Sequence, residues 1–232
     1  MIVEMFRKIN TDARLTMKHW LFISCCFSCI MVLARVVITN EVTYLFMIWN
    51  LFLAFIPFAI AEWLYNHIAV IESRWKRILV LLSWLLFVPN AFYLITDLFH
   101  LDEFQSAPKW FDLLMLFSFA WNGLLLGIIS VRKIELIVTT VYGKVIPVVF
   151  LFGVMWLNSL GIFIGRYLRY NTWDIITQPL SLFGEMIQLV IHPFRNKMEW
   201  GMITIWAVFM TLFYFTIKKL AEHFRPATQS SK

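Results

Sequence analysis

The residues best placed to do chemistry lie in the stretch Leu86–Leu101, LFVPNAFYLITDLFHL. It is strongly apolar, yet it carries Pro89, Asn90, Tyr93, Thr96, Asp97 and His100. Hydrocarbon penalises such side chains, so ionisable residues inside an apolar run point to function or to a partner. Positions 90, 93, 97 and 100 advance by three, four and three, which predicts one polar face on a helix. Asp97 is the candidate general base or ligand anchor, and His100 can titrate near neutral pH, so these two are the candidate catalytic residues. An Asp and a His at i, i+3 also have the spacing of a metal pair in helical bundles, but no recognised ligand pattern accompanies them. No metal site is assigned, and no motif names a cofactor. Serine elbow, HExxH, P-loop and dinucleotide fingerprints are all lacking.

Other polar residues fall inside apolar runs. Arg35, Asn50, Asn122 and Asn158 each interrupt one. At about 1.5 Å per helical residue, Asn90 lies roughly 20 Å and Asp97 roughly 30 Å from a span start near Lys76. Counted the same way, Asn122 falls near mid-membrane, and Arg35, Asn50 and Asn158 fall in the same half as Asp97. These side chains are expected to line one outward-facing polar cavity. Arg35 needs a carboxylate at matching depth, and Asp97 is the expected partner. The plainer reading is that asparagines glue helices together by hydrogen bonds. Glu62 stands apart near the other surface, where it is expected to pair with a loop base or to snorkel.

A second block, GRYLRYNTWD at Gly165–Asp174, carries Arg166 and Arg169 three residues apart, which is expected to place them on one helical face at the outer surface. Paired guanidinium forks suit phosphate or carboxylate. Tyr167, Tyr170 and Trp173 fit an aromatic belt at a membrane surface. The alternative is ordinary ion pairing with Asp102, Asp112 or Asp174.

PNAFYLITDLFHL, Pro89–Leu101, together with GRYLRYNTWD resembles the signature blocks of a bacterial polytopic membrane family, domain of unknown function 1361. Its pattern runs Pro-Asn-Ala-Pro-Tyr and Thr-Asp-Leu, then a Gly-Arg-Tyr-Arg-Asn-Ser-Trp-Asp-like run. Phe92 stands here at the second proline and Thr172 at the serine. The resemblance implies a bacterial cytoplasmic-membrane protein and no particular activity. It adds weight to Asn90, Tyr93, Thr96, Asp97, Arg166, Arg169, Trp173 and Asp174.

The elements that position these residues follow from composition. The 232 residues are 61% hydrophobic and only 15% charged, with mean hydropathy +0.75, well beyond a soluble domain. Six runs are long enough to cross a bilayer: about 19–39, 43–66, 77–97, 111–131, 144–165 and 199–218. The fold class is an all-α, six-span bundle. A basic segment, 1–18, precedes the membrane domain of 19–218, and a tail, 219–232, follows. The run after Pro179 is apolar on one side, broken by Glu185 and Gln188, and too short to span, so it reads as an interfacial or re-entrant helix.

The net charge of +6 does not mark a nucleic-acid binder, because the basic residues cluster beside spans. Arg7, Lys8, Arg14, Lys18, Arg74, Lys76, Arg77, Arg132, Lys133, Lys144, Lys218, Lys219, Arg225 and Lys232 fall on one side. Lys109, Arg166, Arg169, Arg195 and Lys197 fall on the other. The positive-inside rule then puts both termini in the cytoplasm. The first span has no cleavage signal and reads as an anchor, with Cys25, Cys26 and Cys29 as structural thiols.

Three functions are compatible with these residues. One is an outward-facing site that binds or modifies an envelope lipid or a lipid-linked, phosphorylated substrate. The second is a small-solute carrier or channel, for which the polar path to the cytoplasm is incomplete. The third is an accessory subunit docked to a protein partner, whose identity the sequence does not give.

Overall fold

The computed structural model describes residues 2–104, 106–143, 146–170 and 174–224, with side chains from residue 17 onward except at 146, 147, 175 and 176. Trp173, Lys144, Arg225 and Lys232 therefore lie outside the described residues, as do the side chains of Arg7, Lys8 and Arg14. The described chain is helical throughout: α1 Ile2–Thr39, α2 Phe46–Asn66, α3 Ile68–Glu72, α4 Arg74–Tyr93, a 3₁₀ segment Leu94–His100, α5 Lys109–Tyr142, α6 Ile146–Arg166, α7 Asp174–Thr177, α8 Pro179–Ile191 and α9 Lys197–His223. Among the described residues, six stretches are long and apolar enough to cross a membrane: Met17–Thr39, Phe46–Asn66, Arg74–His100, Lys109–Tyr142, Val148–Arg166 and Lys197–His223. They match the six expected runs.

The chain packs as two compact units, Met1–Ile56 with Asn90–Gly127 and Pro57–Pro89 with Ile128–Lys232. In the first, α1 and the start of α2 pack with the 3₁₀ segment and the first half of α5, burying Val32, Met47, Leu94 and Phe119. Two glycines set the spacing. A Cβ on Gly123 would lie 2.5 Å from the Ala91 carbonyl oxygen and 2.9 Å from Leu94 Cβ, and one on Gly127 would lie 2.9 Å from the Phe92 ring. Gly123-Leu-Leu-Leu-Gly127 is thus a small-xxx-small face that lets two backbones approach. Phe92 is fully buried with its ring across Gly127.

In the second unit, α6 and α9 pack along their length, and Phe163, Leu189 and Ile203 form a cluster with α8. Trp84 Nε1 donates to Ser130 Oγ at 2.6 Å, and Ser130 donates to the Pro57 carbonyl at 3.0 Å, a polar thread through α2, α4 and α5. Glu135 accepts from Arg132, Tyr214 and Lys218, which ties α5 to α9. Glu62, expected to pair with a loop base or to snorkel, pairs with Lys133, which lies within α5.

Candidate functional site

The first unit holds most of the polar residues singled out by sequence. α1 ends at Thr39, and Asn40 after it, with a positive φ of 56°, is a left-handed helix stop whose amide donates to the Val36 carbonyl at 2.8 Å. The chain then turns and brings Thr43 and Tyr44 back over Arg35. Pro108 starts α5 by accepting the amides of Phe111 and Asp112, so Asp112 sits in the first turn, where the helix dipole favours a carboxylate.

Arg35 and Asp112 meet there, both almost completely buried. Arg35 Nε donates to Oδ1 at 2.7 Å and Nη2 to Oδ2 at 3.2 Å, a forked pair. Arg35 Nη1 also donates to Thr43 Oγ1 at 2.9 Å, Nη2 donates to Ser106 Oγ at 3.0 Å, and the guanidinium lies 4.6 Å over the Tyr44 ring. Ser106 donates onward to Glu41 at 2.5 Å. Tyr44 donates to the His100 carbonyl at 2.8 Å. Burial first, then the nearby Asp112 charge, pushes the Tyr44 phenol up to about 12, with Arg35 pulling the other way, so it stays a neutral donor near neutral pH.

The expected Arg35–Asp97 pair is thus corrected: the partner is Asp112. Matching depth is the only criterion the sequence offers, and two carboxylates satisfy it. Asp97, also buried, accepts from Asn50 Nδ2 at 3.0 Å. The expected continuous α-helical stripe is corrected as well. α4 stops at Tyr93, and three-residue turns follow. Asp97 and His100 share a face at that period, but Tyr93 belongs to the α-helix and uses its carbonyl to accept from Thr96 at 2.7 Å. His100 pairs with Glu103, and Asn90 is half-buried.

Asn122 behaves as helix glue. Its Nδ2 donates to the Ser24 carbonyl at 3.0 Å and to Ser28 Oγ at 2.9 Å, joining α5 to α1.

Beside the Arg35–Asp112 pair lies a cavity of about 220 Å³, lined by Leu101, Asp102, Phe104, Ala107, Lys109 and Asp112. Lys109 and Asp102 bridge at 2.5 Å and both are well exposed. Asp102 has φ 74°, the left-handed region, which aims this short turn. Sequence reasoning does not bring this lining together, although it offers Asp102 and Asp112 as ion-pair partners for the arginines and as carboxylates close to the Asp97–His100 pair.

The second unit holds the others. Asn158 is fully buried, and neither its amide oxygen nor its nitrogen has a hydrogen-bond partner among the described residues. This differs from helix glue, in which the amide is paired across helices. Arg166 and Arg169 do not share a helical turn, contrary to expectation. α6 ends at Arg166, and Arg169 adopts φ 60° while the Tyr170 amide reaches back to the Ile164 carbonyl at 3.2 Å. Asp174 is buried and accepts from Thr177 at 2.9 Å.

Residues 49–214 match the family described as "Protein of unknown function (DUF1361)". The chain belongs to the DUF1361 family. The DUF1361 match takes in the cavity residues, the 3₁₀ segment and the Arg166–Asp174 block, and begins after Arg35. No curated protein and no solved structure matches the chain.

Proposed function

We propose that this multi-pass membrane protein holds the polar headgroup of an envelope lipid or lipid-linked molecule in the cavity at Asp102, Lys109 and Asp112, on the outer face of a bacterial cytoplasmic membrane. The observation that carries the reading is the lining itself, which joins one cation and two carboxylates to the apolar Leu101, Phe104 and Ala107. At about 220 Å³ the cavity is smaller than a site for a drug-sized ligand, and it suits a headgroup better than a whole lipid. Lys109 offers a donor to phosphate, the carboxylates accept from ammonium or hydroxyl groups, and the apolar side suits the start of an acyl chain.

The two sides of the cavity differ in stiffness. Asp112 is held by buried Arg35, so it is a fixed wall. The Asp102–Lys109 bridge is exposed, and exposed bridges are worth about 0–1 kcal/mol, so a ligand can displace it at little cost. Binding is better supported than turnover, because Asp97 and His100 are already engaged with Asn50 and Glu103. The outward assignment rests on the excess of Lys and Arg beside the opposite span ends.

The test compares lipids that co-purify in mild detergent with wild type and with Asp102→Asn/Lys109→Gln. These exposed positions leave the buried pair intact. One headgroup class should be enriched over the bulk membrane in wild type and fall to the bulk level in the variant. Bulk composition in both would overturn the reading.

A further inference from the structure

The helix α8 is too short to span. Its 13 residues reach about 20 Å, against about 30 Å of hydrocarbon. Around its axis the residues fall into three faces. Leu182 and Leu189 are buried and Met186 is half-buried on the first. Ser181, Glu185 and Gln188 are exposed on the second. Leu180, Phe183, Ile187, Val190 and Ile191 are exposed on the third. The polar face and the exposed apolar face are centred roughly 130° apart.

The buried face is fastened. Leu189 packs with Phe163 and Ile203. Asn196 Nδ2 donates to the Gln188 carbonyl at 3.0 Å, and Trp200 Nε1 donates to the Leu189 carbonyl at 3.1 Å, so carbonyls at the helix end are satisfied by the start of α9. The turn that follows continues the apolar face with Phe194, 92% exposed. Arg195 in this turn and Lys197 at the start of α9 are both exposed and in no ion pair among the described residues.

We propose that α8 lies flat in the membrane interface, with Phe183, Ile187 and Val190 in the acyl layer, Ser181, Glu185 and Gln188 toward water, and Arg195 and Lys197 on anionic lipid headgroups. Both exposed faces run the full length of the helix, as an in-plane helix requires. A re-entrant path would carry Glu185 into hydrocarbon, where a carboxylate is costly. The two cations select an anionic surface over a neutral one. This inference is independent of the headgroup cavity.

The test uses the full chain in nanodiscs of mixed phosphatidylglycerol and phosphatidylcholine. An environment-sensitive fluorescent amino acid replaces Ser181, Phe183, Gln188 or Val190 in turn. Lipid-borne nitroxide should quench the probe at 183 and 190, while aqueous iodide should quench it at 181 and 188. Lipid quenching at all four would make α8 re-entrant. Protection of 183 and 190 from both quenchers would mean that a second copy or another protein covers that face. Either result overturns the proposal. With the nitroxide on phosphatidylglycerol rather than phosphatidylcholine, quenching at 190 should be stronger by about fivefold, and Arg195→Gln/Lys197→Gln should abolish that preference. Equal quenching by both lipids in wild type would overturn the headgroup contact.

Discussion

Asp112→Leu should lower the thermal unfolding midpoint in detergent by on the order of 10 °C, and adding Arg35→Met should return most of the loss. Removing one partner of a buried ion pair leaves the other charge uncompensated, which costs about 3–5 kcal/mol. For a chain of this size each kcal/mol moves the midpoint by about 2–4 °C. Arg35 would retain the neutral hydroxyls of Thr43 and Ser106 and the Glu41 carboxylate at 3.9 Å, which is exposed to water and makes no forked contact, so it offsets little of the loss. Replacing both members with apolar side chains removes the stranded charge, and such exchanges are often neutral or stabilising. Measuring the two single variants and the double variant side by side gives the coupling directly. A double variant that merely adds the two losses would mean that Arg35 and Asp112 contribute independently, against the forked geometry at 2.7 and 3.2 Å.

Gly123→Ala should destabilise the protein while Gly153→Ala stabilises it, although both sit inside long helices. Glycine in a helix interior ordinarily costs about 0.5–1 kcal/mol relative to alanine, so the substitution is favourable where space allows. At Gly153 nothing lies within 4 Å of the added Cβ. At Gly123 the Cβ meets the Ala91 carbonyl oxygen at 2.5 Å, and backbone cannot swing aside as a side-chain tip can. The helix must separate from the segment leading into the 3₁₀ turns, and overpacking of this kind costs about 1–3 kcal/mol or more. The readout is the sign of the midpoint shift for each variant under identical conditions. A rise for both would show that this approach is looser than the distances state.

The six spans are legible in the sequence because hydrocarbon imposes one long apolar run per crossing, and nothing in the packing can override that requirement. The start of α8 is legible for a local reason: Pro179 fits the first turn of a helix, and the apolar run behind it is too short to span. For Glu62 the sequence leaves a loop base and snorkelling both open, and the structure gives it a base from within a helix, Lys133 of α5.

The choice of partner for Arg35 is not legible. Depth along a helix says how far a residue lies from the surface, but not which neighbour its helix faces, and that azimuth is set by tertiary packing. The break after Tyr93 is hidden because spacings of three and four suit an α-helix, while the 3₁₀ turns that follow need a period of three. Arg169 is misplaced by its spacing because a left-handed helix stop is usually marked by glycine, and here arginine occupies it. One missed feature does carry a signal: the spacing of Gly123-Leu-Leu-Leu-Gly127 is itself the mark of a close-approach face between membrane helices.

The headgroup cavity is the central functional claim, and photo-crosslinking from its lining tests it most directly. A photoreactive amino acid replaces Ala107, which lines the cavity, and in a second protein replaces Trp110, which is exposed nearby and outside the lining. Illumination in native membranes, followed by mass analysis of the adducts, should give one headgroup class at position 107 and the bulk lipid mixture at position 110. The same bulk mixture at both positions, or adducts at 107 with protein alone, would contradict a lipid-headgroup site.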